Sequence, residues 1–442
     1  MKAKTNLTML CDFYELTMGN GYFQTGLADR VCYFDVFYRS VPDRGGFAIA
    51  AGLAQVVEYI ENLRFDEEDI AYLRSKGCFS EEFLKYLSEF SFTGDIWAVP
   101  EGTPIFPGEP IVTVEGPAIQ AQLIETFTLL TINHQSLIAT KANRIVRAAQ
   151  GRTVLEFGSR RAQGADAAII GARAAYIGGV AGTACTISDQ IYGVPAGGTM
   201  AHAWVQMFDS EYDAFKTYCQ IYPHNATLLV DTYNIEEAVK TAVEVAGPEL
   251  GGVRIDSGDL AAMAQRVRNQ LDALGATNTT ITVTNDLDEY ALAALQTAPV
   301  DSYGVGTMLV TGSGAPTCAM VYKLTEREGA DGTMVPVMKK SKDKATVPGR
   351  KLAFRSYEYA LAEAEHVISG SEEKLAGFTP EPTWKNLLVD FVDHGHIDAQ
   401  WQGHDAIMAA HDYRAKALSE LPITAQSLMK GEPVIPTETQ VL

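Results

Sequence analysis

The residues best suited to chemistry recur at one kind of place in this chain. Asp231, Asp256 and the pair Asn285-Asp286 each close a short apolar run and precede an amphipathic one. A carboxylate at such a point can hold a hydroxyl or a hard cation. Taken singly, each Asp reads equally as the N-cap of the next helix. Repeated in three successive units, the pattern points to a shared site. Three glycine clusters could present backbone N–H groups to a phosphate: Gly193 to Thr199, Gly304-Val305-Gly306-Thr307 and Gly312-Ser313-Gly314. The second is the strongest, because it ends an apolar strand as the aspartates do, although a ligand-free tight turn would look the same. His202 follows the Gly197-Gly198-Thr199 stretch at a helix start, where a neutral imidazole could serve as nucleophile or acid–base group. By composition alone it is an ordinary helix-start histidine. Phe157-Gly158-Ser159-Arg160-Arg161 joins an aromatic face to two guanidinium groups, a set suited to a flat ring and an anion, or to a core Phe with surface arginines. Arg254, inside Val253-Arg254-Ile255-Asp256, must find a partner if it points inward.

The elements that would position these groups are βα units on a parallel sheet, over about residues 150 to 310. Strands are expected at Thr153 to Phe157, Val180 to Thr186, Thr227 to Asp231, Gly252 to Asp256, Thr280 to Asn285 and Ser302 to Gly306. Helices are expected at Ala165 to Tyr176, Ile235 to Val245, Leu260 to Leu274 and Glu289 to Gln296. In a barrel this puts the polar residues on the rim formed by the C-terminal strand ends, where such folds place their chemistry. The flanks differ. Residues 92 to 116 read as short strands broken by Pro and Gly, Ala121 to Ala149 as one long helix, the chain beyond Val321 as short strands and loops, and Ala406 to Leu418 as a helix. The expected organisation is residues 1–150 and 326–442 building a β-rich domain from both chain ends, with the barrel at 151–325 between them.

Composition excludes several classes. The 442 residues carry a formal charge of −20, and the longest basic run is only Lys339-Lys340-Ser341-Lys342-Asp343-Lys344, so no nucleic-acid partner is expected. The longest uncharged run, Ser302 to Tyr322, is too rich in Gly and hydroxyl residues to span a membrane. Leu7-Thr8-Met9-Leu10 is too short for a secretory signal, and a cytoplasmic location is expected. Six cysteines without a C-x-x-C pair read as buried thiols, not as a disulfide framework or zinc site. His394, His396, His404 and His411 lack metal-ligand spacing. No strand-linked G-x-G-x-x-G is present, which argues against a dinucleotide-dependent dehydrogenase.

Six segments in order carry a resemblance: Asp12 to Met18 (DFYELTM), Phe34 to Arg39 (FDVFYR), Glu156 to Arg161 (EFGSRR), Gly198 to His202 (GTMAH), Val230 to Asn234 (VDTYN) and Arg254 to Asp259 (RIDSGD). Together they resemble successive motifs of the nicotinate phosphoribosyltransferases, and Val347-Pro348-Gly349-Arg350-Lys351 extends the likeness into the tail. The resemblance implies a type II phosphoribosyltransferase fold, an incomplete α/β barrel with a β-rich domain built from both chain ends. It implies transfer from 5-phosphoribosyl diphosphate to nicotinate with coupled, ligase-like ATP hydrolysis, Mg²⁺, and a homodimer with shared sites. By similarity, Asp231 and Asp256 would hold ribose hydroxyls and Mg²⁺, and Gly304, Gly306 and Thr307 the 5′-phosphate. Phe157 would stack on the pyridine ring with Tyr14 opposite, from a second subunit. Arg160, Arg254 and Ser257 would meet substrate groups, and His202 would carry a transient phosphate from ATP. Two departures stand out. Ala203 replaces a Ser common in the family after that His. Ala184 stands where nicotinamide-using relatives have an acidic residue, and its lack of charge favours nicotinate over nicotinamide. Rival readings are a nicotinamide or quinolinate transferase and a catalytically silent phosphate-binding regulator.

Overall fold

The computed structural model describes residues 6–223, 226–312, 314–339 and 346–442. Ser313 and most of the basic run, from Lys340 to Lys344, lie outside the described residues. The chain divides into two compact units, Lys141–Pro316 and the two flanks together.

The unit 141–316 is built on six parallel strands: β1 (Thr153–Glu156), β2 (Gly182–Thr183), β3 (Thr227–Leu229), β4 (Gly252–Ile255), β5 (Thr280–Val283) and β6 (Ser302–Val305). Their order is β2-β1-β6-β5-β4-β3. Among the described residues no ladder joins β2 to β3, so the barrel is incomplete. The strands are short and apolar because helices cover them: Leu228, Leu229, Val253, Ile255, Ile281, Val283, Tyr303 and Val305 are fully buried. Helix Ile235–Ala246 shows the matching logic. It buries Ala238, Val239, Ala242 and Val243 on one stripe, and each such valine is worth about 1.5–3 kcal/mol when removed from water. A charge at Val239 would break that contact.

The helix starts decide between the two readings of the strand-end aspartates. Asn234 caps Ile235–Ala246, Asp259 caps Leu260–Ala273 and Asp288 caps Glu289–Ala294, each accepting backbone N–H bonds from the first turn. Asp231 and Asp256 are therefore not caps. Asn285 and Asp286 stand one step further along the chain, past Thr284. Both have positive φ (99° and 45°) and form an exposed turn, because β5 ends at Val283 and Thr284 takes the rim position.

The other unit holds a seven-stranded sheet from both flanks, in the order 334–336, 321–328, 31–37, 112–117, 95–98, 389–393, 396–397. A four-stranded sheet (385–386, 350–358, 361–370, 437–441) accompanies it. Its centre is a hairpin, Arg350–Glu358 with Leu361–Gly370, where only loops and short strands were expected. The two-residue turn Tyr359-Ala360 has positive φ at both positions (48° and 66°), the mirror-image geometry that hairpins favour, but without the Gly or Asn that would announce it. The expected long helix is two, Ala118–Leu123 and Glu125–Ala149, and the C-terminal one runs Gly403–Ser419. The six cysteines are free, but only Cys32, Cys185 and Cys318 are buried. Cys78 is exposed in the loop after Gly77, and Cys11 and Cys219 are partly exposed. No described helix is long and apolar enough to cross a membrane.

Candidate active site

Four strand ends and the Gly197–His202 loop bring one connected set of polar groups together. Arg254, on β4, is the hub. Its Nε donates to Thr284 Oγ1 (3.0 Å), its Nη1 to Thr199 Oγ1 (3.2 Å) and to the Met200 carbonyl (3.3 Å), and its Nη2 lies 3.4 Å from Asp256 Oδ1. Its guanidinium carbon sits 5.9 Å from the Phe157 ring centre. The inward Arg thus has the partners its burial demands.

The two aspartates are linked through the backbone. Asp231 Oδ2 accepts the Asp256 N–H (2.9 Å) and the Ser257 hydroxyl (2.5 Å). Among the described residues Asp231 Oδ1 accepts no hydrogen bond, and Thr284 donates a very short one to Asp256 Oδ1. His202 opens a helix of only five residues, His202–Gln206. Its Nδ1 lies 3.1 Å from Thr232 Oγ1 and its Nε2 3.8 Å from Asp256 Oδ2. The imidazole and the Asp256 carboxylate are 40% and 30% exposed, so a ligand can reach both.

Phe157 follows β1, and its ring lies against Gly304 of β6. A Cβ on Gly304 would fall 2.5 Å from that ring and 2.7 Å from the Thr284 methyl, so only glycine fits. Gly304 therefore has a packing task of its own, while Gly306 and Thr307 begin the one-turn helix Thr307–Val310. Arg160 and Arg161 lie in an exposed turn and make no side-chain hydrogen bond or ion pair within the described residues. Tyr14 belongs to the other unit. It is 44% exposed on helix Phe13–Gln24, its hydroxyl bonded to Glu125, and burial together with that carboxylate holds the phenol protonated.

Five residues escaped sequence reasoning: Glu156, Thr183, Thr199, Thr232 and Thr284. Each stands at a strand end or beside a glycine or aspartate already noted, and that adjacency was the available signal. Glu156, fully buried, accepts the Thr183 hydroxyl (2.5 Å) and a very short bond from the Gly158 N–H.

Among the described residues, the one trio of ligating groups close enough to share an ion is Asp95, Asp393 and His394, in the other unit. There the imidazole is paired to both carboxylates, at 3.1 and 2.7 Å. The barrel rim is no closed metal cage.

An open six-stranded parallel barrel with acidic and guanidinium groups on its C-terminal rim defines the type II phosphoribosyltransferase class. Residues 138–313 match the quinolinate phosphoribosyl transferase C-terminal domain family. Consistent with that fold, the crystal structure of nicotinate-nucleotide pyrophosphorylase from Pyrococcus furiosus superposes with a TM-score of 0.75 at 23% identity, covering 95% of this chain and 99% of that one. Residues 9–133 match the nicotinate phosphoribosyltransferase (NAPRTase) N-terminal domain family. A nicotinate phosphoribosyltransferase of Mycobacterium tuberculosis is 44% identical over 427 residues, covering 95% of this chain and 89% of the relative. The crystal structure of human nicotinic acid phosphoribosyltransferase superposes with a TM-score of 0.82 at 26% identity, covering 98% and 97% of the two chains. The chain belongs to the nicotinate phosphoribosyltransferase family.

Proposed function

We propose that this protein transfers the phosphoribosyl group of 5-phosphoribosyl diphosphate to nicotinate, releasing diphosphate and nicotinate mononucleotide, as the entry step of NAD salvage. ATP hydrolysis is coupled through a phosphate carried on His202. The observation that carries the reading is the connected rim itself: His202, Asp231, Asp256 and Arg254 within one network, in a chain of this family.

Charge is the central problem of the reaction. As the bond to diphosphate lengthens, the sugar carbon becomes oxocarbenium-like, so the protein's task is positioning and electrostatics. Asp256 and Asp231 supply negative charge at the rim, and their oxygens are suited to ribose hydroxyls. Asp231 Oδ1, which lacks a hydrogen bond, also fits a hard cation. With Asp256 it would hold Mg²⁺, which when bound neutralises the leaving diphosphate; an ion carried mainly by substrate phosphates needs no protein cage. Phe157 offers a ring face to the pyridine, and Gly306 and Thr307 a backbone turn to the 5′-phosphate. Arg160 and Arg254 supply positive charge to the anionic groups, and Ser257 holds Asp231 in place. His202, with Thr232 at Nδ1 and Asp256 near Nε2, is oriented and open enough to take a phosphate. The absence of a carboxylate at Ala184 favours nicotinate over nicotinamide. The free thiols suit a cytoplasmic enzyme.

Diphosphate release with nicotinate, nicotinamide and quinolinate, each with and without ATP, tests this. Turnover should be confined to nicotinate and stimulated by ATP; preference for another pyridine overturns the substrate assignment. A homodimer with shared sites is part of the same reading. Leu7, Leu10, Phe13, Tyr14 and Met18 leave an apolar stretch exposed that a second copy would cover, bringing Tyr14 to the partner's pyridine. Mixing Tyr14→Ala with Asp256→Ala subunits should restore activity, since one hybrid site carries neither lesion. No recovery in verified heterodimers overturns the sharing.

A further inference from the structure

Glu156 is a carboxylate in a place that disfavours one. It ends β1 with no exposed surface, and no cation pairs with it among the described residues. Burial pushes its pKa up, and the bonds from Thr183 and Gly158 offset only part of that rise. A buried acid kept without a counter-charge costs stability, and what it holds in place shows what the cost sustains.

It holds two strand ends. The Gly158 N–H, two residues on, is bent back onto Oε1, which sets the turn carrying Phe157, Ser159 and Arg160. The Thr183 hydroxyl on Oε2 ties in the end of β2, and that same hydroxyl accepts the Cys185 N–H at 3.0 Å. Between them, the Ala184 N–H donates to the Glu156 carbonyl at 2.8 Å. The turn has no slack. A Cβ on Gly158 would lie 2.7 Å from both the Gly306 carbonyl and Val310, and the Phe157 ring is already pressed against Gly304. A small change in how Gly158 is held must therefore move the Phe157 ring or the β6 end beneath it.

We propose that Glu156 is a positioning residue for the pyridine ring, acting through the Gly158 turn on Phe157 and through Thr183 on the backbone at Ala184. The inference rests on the proposed reaction, in which Phe157 stacks on nicotinate.

Glu156→Gln keeps shape and one acceptor but weakens the hold on Gly158. It should raise the KM for nicotinate about tenfold while kcat and the KM for 5-phosphoribosyl diphosphate change by less than about twofold. Thr183→Val should reproduce part of the rise and Thr183→Ser should not, which keeps the test open if Glu156→Gln folds poorly. The deciding measurement is the cycle with Phe157→Ala. If Glu156 works through that ring, adding Glu156→Gln to Phe157→Ala should change the nicotinate KM no further. Additive effects, or equal rises in both KM values, overturn the inference and leave Glu156 a purely structural group. Failure of the wild type to turn over nicotinate removes both readings, whereas wild-type turnover with an additive cycle removes this one alone.

Discussion

Two regions of this molecule are dense with opposite charges, and they use them differently. In the unit made from the chain flanks, one cluster of ion pairs is largely buried. Arg355 and Glu365 are each 2% exposed or less, with Arg355 donating to Glu365 (2.7 Å) and to the Pro104 carbonyl. Lys351 is held by Asp35 and the Gly349 carbonyl, and Arg350 by Glu115 and Glu326. At the barrel rim Asp256 and His202 remain open to solvent. Both regions contain a carboxylate oxygen without a hydrogen bond, Glu109 Oε2 and Glu365 Oε2 in the first and Asp231 Oδ1 in the second. Inside the sealed cluster the remedy is a proton: burial, with Glu365 alongside, pushes Glu109 well above the carboxylate range. At a rim that substrates reach, the remedy is a ligand. Counting charged contacts would not have separated the two regions; access does.

The sharpest way to break this contrast is to remove one member from each region. Arg355→Met should strand buried acids and cost about 3–5 kcal/mol, read as a lower urea midpoint, while activity per folded molecule is unchanged. Asp256→Asn should do the reverse. It keeps the shape and the Thr284 contact but loses the charge, so kcat should fall about 10²–10³-fold with little change in Tm. Retained activity would make Asp256 a structural group like those of the sealed cluster. His202→Asn should fold, lose ATP hydrolysis and leave only basal transfer, so that ATP no longer lowers the apparent nicotinate KM as the proposed coupling requires of the wild type. Labelled ATP should mark the wild type, and not the variant, with an acid-labile, base-stable phosphate.

The smallest effect sharpens the rule about protons. Glu15 is buried, with Oε2 unpartnered, and burial lifts its pKa to about 7 despite the two bonds from Thr126. Glu125 and Asp12 add to the rise. A carboxyl raised by folding favours the folded state fully below its unfolded value near 4.5, and that stability is lost as pH climbs through about 7. Glu15→Gln, neutral at every pH, should flatten the decline, narrowing the Tm difference between about pH 5 and pH 8 by a degree or two. An unchanged slope would show that Glu15 stays ionised.

Much of the barrel was legible because its determinants are local. Apolar runs of four or five residues, separated by stripes such as Ala238, Val239, Ala242 and Val243, specify strands and helices through the period of their side chains. Asp231, Asp256 and His202 could be singled out because a polar residue closing an apolar run stands out in one dimension. The tail was poorly legible for the opposite reason. Tyr359-Ala360 is a tight turn without turn residues, and the strand Leu361–Gly370 is completed by parallel pairing with Thr437–Val441, a partner no neighbouring residue announces.

What the sequence by itself determined is the inventory: which residues can carry charge, which runs must be buried, and that the aspartates recur once per βα unit. Only the tertiary structure decided the partnerships. It was the packing that showed the helix caps to be Asn234, Asp259 and Asp288, which freed Asp231 and Asp256 for the rim. It put Thr199, Thr284 and Asp256 on the three nitrogens of one guanidinium, and Thr232 beside His202. The physical reason is range. Backbone propensity and side-chain period act over a few residues, whereas a hydrogen bond is chosen at about 3 Å by groups that may be fifty residues apart, and only the completed fold sets that distance.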